Sequence, residues 1–273
     1  MRGLAWLAYS LSKKHQKIIN VNLDIAFPSS LDKTEKKSIG ITAFMNLIDT
    51  IFGLMKREGI DKKEVIQNVT FENSHIVEQY KKEGKNFILV AGHHGNWELL
   101  SQSIAIKFDL RLVGVGRKID SEIMDSVLKY NRERFNMEMV YKKGAMKGCI
   151  KAISQGKVVG ILTDQAIRKN QSIDIDFFGK RTTHTPLASI LSRKFGLDLV
   201  PAHIHTEDYE NYTIEFYPPI KSIKTKNQED DLLQLTQQQA DVTQAMIEKY
   251  PNGWFWMHKR WKNMIENPYG EIK

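Results

Sequence analysis

The stretch Asn86–Leu100 constrains the fold more than any other part of the chain. Four consecutive apolar residues, Phe87 to Val90, end at Gly92. A polar cluster of His93, His94, Asn96 and Glu98 follows and opens onto Leu99, Ile104 and Ile106. A short apolar run stopped by a glycine-containing turn and followed by helical spacing predicts a buried strand, a loop and a helix start. In an open α/β sheet, side chains just beyond the carboxyl end of a buried strand are rigidly placed for chemistry.

The same alternation recurs downstream. Strands are predicted at 111–116, at 137–141 and at Val158–Gln165, with helices at 119–136 and 146–153 between them. The first of these helices is expected to turn Ile123, Met124, Val127, Leu128 and Tyr130 inwards. Leu197–His205 and Tyr212–Tyr217 alternate like antiparallel strands, and residues 228–250 form an amphipathic helix before an aromatic tail. In Ile173–Gly179, Asp174 and Asp176 share a strand face that reads as solvated rather than catalytic.

Residues 1–60 are helical. A helix or helix pair covers 1–24, Phe27–Ser30 is a turn, and the segment from Asp32 to Met55 is apolar on most of its circumference. It reads as a core helix in preference to a lipid-facing one, and Asn46 and Asp49 oppose a membrane span. The fold class is therefore α/β, a mixed central sheet flanked by helices and preceded by N-terminal helices. Residues 1–273 form a single domain in which 1–60 is the membrane-proximal part.

Forty Lys and Arg residues against 32 Asp and Glu give a formal net charge of +8, which favours anionic partners. No Arg-rich arm, zinc-finger spacing or aromatic RNA-binding strand directs that charge to nucleic acid. Cys149 is the single cysteine, which excludes an internal disulfide and a multi-thiolate metal site. The apolar run Leu4–Leu11 is cut short by Ser12–Lys17, and no stretch reaches the roughly 18 uninterrupted apolar residues of a spanning helix. If the protein meets a membrane, it is expected to lie on it.

Four residues separate His93 from Glu98. On a continuous helix they would point about 140° apart, but an extended loop before the first turn can fold His93 back over Glu98. A carboxylate that accepts from one imidazole nitrogen fixes the tautomer, and the other nitrogen can then take a proton from an attacking hydroxyl. A helix N-terminus nearby offers N–H groups to developing negative charge. The alternative is that His93 and His94 are hydrogen-bonded loop residues and that Asn96 and Glu98 only cap the helix. A metal site is disfavoured because no third ligand stands nearby in sequence.

Gly92-His-His-Gly-Asn-Trp-Glu98 resembles the His-x-x-x-x-Asp/Glu motif of the glycerolipid acyltransferases. More narrowly it resembles the lipid A biosynthesis (late) acyltransferases, which add lauroyl or myristoyl groups in Gram-negative bacteria. Asn22-Leu-Asp-Ile-Ala-Phe-Pro28, Arg117, Lys147–Ile153, Thr163-Asp-Gln165, Phe177–Gly179 with Thr185–Ala188, and Trp256-Met-His-Lys-Arg-Trp-Lys262 are similar to further segments of that family. The likeness runs from about residue 20 to 262 and departs at Thr163, where proline is common, and at the short N-terminal apolar run.

The resemblance implies a peripheral enzyme on the cytoplasmic face of the bacterial inner membrane. It would move an acyl chain from an acyl carrier protein or CoA thioester to a hydroxyl of a lipid A precursor, without a metal or cofactor. His93 would act as base with Glu98 as its orienter, and Asn96, Arg117, Asp164 and Gln165 would bind substrate. Trp256, His258 and Trp261 read as packing residues. Lys259, Arg260 and Lys262 read as either headgroup ligands or a generic basic surface. An anionic membrane surface and the carrier protein are the implied partners, and nucleic acid is not one.

Overall fold

The computed structural model describes residues 1–116, 118, 121–141, 144–270 and 272. The chain begins with three helices, α1 (Arg2–Leu11), α2 (Lys13–Ala26) and α3 (Lys33–Lys56). Asp32 starts α3 with a complete capping box, its carboxylate accepting from the Thr34 and Glu35 N–H groups while Glu35 reaches back to the Asp32 N–H. The rest is α4 (Lys62–Ile66), β1 (Val69–Glu72), α5 (His75–Lys82), β2 (Ile88–Ala91), α6 (Trp97–Lys107), β3 (Leu112–Gly116), α7 (Glu122–Glu133) and β4 (Met137–Tyr141). There follow α8 (Ala145–Ser154), β5 (Val158–Leu162), β6 (Ile173–Phe177), β7 (Lys180–His184), α9 (Leu187–Phe195), β8 (Leu199–His205), β9 (Tyr212–Phe216) and α10 (Gln228–Lys249).

Seven strands form one mixed sheet in the order β1-β9-β8-β2-β5-β3-β4, antiparallel at β8/β9 and parallel at the other pairings. The expected α/β architecture is thus present. The centre, β2, is buried at every position, as a strand covered on both faces must be. One core, which includes Leu89, Leu100, Ile104, Val200 and Phe216, fills the α6 face; another, with Val90, Val159, Ile161, Cys149 and Leu191, fills the α8/α9 face. A third joins α1–α3 to Phe177, Trp254, Trp256 and Trp261.

Three local expectations change. β6 continues through a tight turn into β7, a separate antiparallel hairpin; the Lys180–His184 partner was hidden because its residues are mostly polar. Helix α7 does not turn Val127 and Tyr130 inwards: both are exposed, Tyr130 by 60%. Among its described side chains the buried ones include Asp125 and Asn131, while the side chains of Ile123 and Met124 lie outside the described residues. The reason is its partner, since α7 covers polar groups of α6: the Asn131 carbonyl accepts from Gln102 at 2.7 Å and Arg132 pairs with Glu98. Arg260 is not a surface cation but fully buried, donating to the Thr183 carbonyl with its guanidinium 4.7 Å from the Phe177 ring centre.

Candidate active site

The site lies where β2 and β5 end side by side. Their register pairs Ala91 with Leu162, and the Thr163 N–H continues the ladder to the Ala91 carbonyl at 2.9 Å. The next residues on each strand, Gly92–His93 and Asp164, therefore face each other. A Cβ on Gly92 would lie 3.3 Å from the Asp164 Cγ, tighter than an ordinary contact, so any side chain there would press on Asp164. Gly95 holds φ at +49° in the turn that follows, and a Cβ there would lie 2.6 Å from the Ile204 carbonyl oxygen. Asn96 then caps α6 by accepting from the Leu99 N–H.

His93 Nδ1 is 2.7 Å from Asp164 Oδ1. The other carboxylate oxygen accepts from the His93 backbone N–H at 3.0 Å and from the Trp254 indole at 2.9 Å. A carboxylate only accepts, so in the neutral ring Nδ1 carries the proton and Nε2 keeps its lone pair. Asp164 is 1% exposed. Burial alone would push its carboxyl up, but the His93 charge and the hydrogen bonds from the His93 ring, the Trp254 indole and the His93 backbone together hold it well below the usual carboxylate range. The His93 ring lies edge-on to Trp97, with ring centres 5.1 Å apart, which fixes its plane.

The expected hydrogen bond between His93 and Glu98 is not formed. Glu98 sits in the first turn of α6 and is held in a two-point grip by Arg132, Nε donating at 2.9 Å to one oxygen and Nη2 donating to the other. Helical geometry turns Glu98 away from the loop, and the strand neighbour supplies the carboxylate in its place. Asn96 does not line the cavity: it is buried, with its amide nitrogen donating to Asp49 Oδ2 of α3 at 2.8 Å. Asp164 likewise reaches His93 and Trp254, not open space. Gln165 does line the cavity. Arg117 lies outside the described residues.

His94, next to His93, is held by the surrounding fold. Its ring is buried against Gly253, Nε2 lies 3.1 Å from the Tyr250 carbonyl, and burial pushes its pKa down to about 4. Two residues at the site went unread in the sequence. Arg132 lies in a polar helix segment without a local signal, and Trp254 reaches Asp164 across 90 positions of chain. His258, expected only to pack, also lines the cavity while its Nε2 accepts from the Ala166 N–H at 3.1 Å. Burial pushes its pKa down to about 4, so it stays neutral near pH 7.

The cavity in front of His93 measures about 980 Å³, at the top of the usual range for ligand pockets. Its mouth carries His93, Glu98, Arg132, Gln165, His258 and Lys262. Its apolar lining lies on both faces of the sheet: Leu89, Leu100, Leu112, Met137, Met139 and Leu162 form a slot on the α6 face, and Val115, Met146, Ile161 and Leu187 line it on the α8/α9 face. A base with a fixed tautomer at the polar mouth of an apolar slot can deprotonate a hydroxyl while a hydrocarbon chain is buried beside it. Among the described residues no group of three or more His, Cys, Asp or Glu side chains is arranged to hold a metal ion.

Comparison with known proteins identifies the family. The family described as bacterial lipid A biosynthesis acyltransferase matches residues 1–263. The lipid A biosynthesis lauroyltransferase of Escherichia coli strain K12 is 26% identical over 273 residues, spanning 97% of this chain and 84% of that protein. The lipid A biosynthesis acyltransferase of Haemophilus influenzae is 20% identical over 254 residues, spanning 92% and 77%. Among solved structures, the 1-acyl-sn-glycerophosphate acyltransferase of Thermotoga maritima aligns with a TM-score of 0.43 at 15% identity, over 93% of this chain and 99% of that one. The chain is an acyltransferase and belongs to the bacterial lipid A biosynthesis acyltransferase family.

Proposed function

We propose that this enzyme moves a fatty acyl chain from an acyl carrier protein or CoA thioester to a hydroxyl of a lipid A precursor at a membrane surface, with His93 as general base. The observation that carries this reading is the His93–Asp164 pair, 2.7 Å apart, at the mouth of an apolar slot. His93 Nε2 takes the proton of the acceptor hydroxyl as its oxygen attacks the thioester carbonyl carbon. The C–S bond then breaks, and the departing thiolate receives that proton from the imidazolium. Asp164 stabilises the imidazolium during this interval. The N–H groups at the start of α6, which have no intrahelical acceptors, supply positive potential near the developing oxyanion. Glu98 and Arg132 set the charge of the mouth, and Lys262 adds a cation suited to a phosphorylated acceptor.

The membrane part of the reading rests on the N-terminal helices. Leu4, Trp6, Leu7 and Leu11 of α1 and Ile51, Phe52 and Met55 of α3 are all exposed. An apolar surface with tryptophan on a chain of net charge +8 suits an anionic bilayer interface. Helix α3 has the length and apolar character to cross a membrane. Its inner face, however, is tied into the protein: Asn46 donates to the Asn252 carbonyl at 2.8 Å, Asp49 accepts from Asn96, and Thr50 is buried. Lying on the surface preserves those bonds, whereas spanning would break them.

The test is acyl transfer by purified protein given carrier-protein or CoA thioesters and a lipid A precursor, with lysophosphatidic acid as a competing acceptor. Transfer to the lipid A precursor is expected. Transfer to lysophosphatidic acid alone would overturn the acceptor assignment. In flotation with anionic vesicles, Trp6→Glu together with Phe52→Glu is expected to leave the protein in the soluble fraction; unchanged flotation would remove the surface-docking reading.

A further inference from the structure

The apolar slot exists because three side chains are missing from one face of the sheet. Strand side chains alternate between faces, so Leu112, position 114 and position 116 of β3 share a face, as do Val158, position 160 and Leu162 of β5. Buried parallel strands fill such positions with Val, Ile or Leu. Here 114, 116 and 160 are all glycine, and Gly114 and Gly160 are register partners side by side in the sheet. All three line the cavity, together with Leu100 and Ser101 of α6 above them. Interior strand glycines weaken a sheet, so three on one face mark a surface that something must approach closely.

The three glycines are not equivalent. A Cβ at Gly116 would lie 2.7 Å from Met139 Cε, and one at Gly114 would lie 3.2 Å from Met139 Sδ. The Met139 thioether of neighbouring β4 therefore lies across the glycine stretch of β3, half-buried and on a flexible side chain. At Gly160 an added Cβ would make only ordinary contacts, 3.4 Å to Leu112 and 3.9 Å to Leu89. No positive φ restricts any of the three. The lining of β3 runs from the mouth at Gly116 down to Leu112, a depth of about 13 Å at the usual rise of a strand.

We infer that Gly160 and Met139 are the specificity-determining residues for the length of the acyl chain, Gly160 leaving the slot open midway down, level with Gly114, and Met139 forming its adjustable side wall. This inference rests on the acyl-transfer reading. A methyl or larger group at 160 projects into the slot without backbone strain and shortens it. Removing the Met139 thioether uncovers Gly114 and Gly116 and lengthens or widens it.

The experiment measures kcat/KM of wild type, Gly160→Ala, Gly160→Val and Met139→Ala over a ladder of saturated acyl thioesters from octanoyl to palmitoyl, with one acceptor. Burying one methylene is worth roughly a fourfold factor in binding. The ratio of kcat/KM for the longest accepted donor to that for a donor two methylenes shorter is therefore expected to fall roughly fourfold in Gly160→Ala and roughly tenfold or more in Gly160→Val. In Met139→Ala the optimum is expected to move to a longer donor. Thermal melting with added free fatty acids of the same ladder reads the preference without turnover. Parallel loss at every length, or an unchanged profile in both Gly160→Ala and Met139→Ala, overturns the inference while leaving acyl transfer intact. If wild type transfers from no donor, the acyl-transfer reading itself fails, which is a different result.

Discussion

Two carboxylates stand close to the cavity, Glu98 on its lining and Asp164 behind His93, and their surroundings make them different groups. Asp164 is 1% exposed and is held by three N–H donors, only one of them from a titratable partner. Glu98 is 8% exposed and meets the two-point grip of a guanidinium that is always charged. An imidazole beside Asp164 can gain and lose a proton while the carboxylate stays ionised, so that pair can cycle. The Glu98–Arg132 pair has no such freedom and forms a fixed dipole on the wall. Spacing in the chain is thus a poor guide to which carboxylate pairs with His93.

The largest expected effect is on turnover. His93→Ala should lower kcat by roughly 10²- to 10⁴-fold. Asp164→Asn should approach that loss, because an amide nitrogen can face Nδ1 as a donor and favour the wrong tautomer. Steady-state acyl transfer by folded protein checks both. If Glu98→Gln costs as much kcat as Asp164→Asn, the distinction between the two carboxylates breaks.

Next comes stability at the second pair. Arg132→Met leaves the nearly buried Glu98 carboxylate without its cation, and a loss of about 3 kcal/mol is expected from denaturant unfolding. Adding Glu98→Gln to Arg132→Met should recover part of it, because the uncompensated charge is gone. Simple additivity of the two losses would show that the pair acts through separate contacts.

The smallest effect is on acid sensitivity. Burial is the main cause that pushes His94 down to about 4 and His203 down to about 2, so both are neutral in the fold. Unfolded histidine protonates near 6.5. Between that value and the folded ones the unfolded chain binds more protons, so stability falls as pH drops from about 6.5 towards 4, by at most about 1.4 kcal/mol per pH unit for each histidine. The contribution of Asp164 occupies a lower window, since its folded value is depressed. It is fully present above the unfolded value near 3.9 and is lost as pH falls below it. Both ring nitrogens of His203 lack a hydrogen-bond partner among the described residues. His203→Phe should therefore flatten the melting temperature between pH 6.5 and 4 without removing a hydrogen bond. A slope unchanged from wild type would place the acid sensitivity elsewhere.

Much of the fold could be read from local pattern. The apolar run before Gly92 sets β2, the Asp32 and Glu35 capping pair sets the start of α3, and alternating runs set the remaining parallel strands. Helix α7 could not be read this way, because Asn131 and Arg132 take their sense only from Gln102 and Glu98 on α6. Arg260 misled for a similar reason. A charged residue in a basic, aromatic tail reads as surface until the Thr183 carbonyl and the Phe177 ring are seen to enclose it.

The sequence by itself determined that a buried strand delivers His93 to a turn ahead of a helix start. Only the tertiary structure decided which carboxylate joins it. Residues 93 and 164 are 71 positions apart and meet because β2 and β5 are parallel neighbours whose ends coincide. Chain proximity governs helices and caps, where hydrogen bonds run between near neighbours. Strand order governs this site, because a sheet brings distant strand ends within hydrogen-bonding distance, while Glu98 in the first turn of α6 points away from the loop that holds His93.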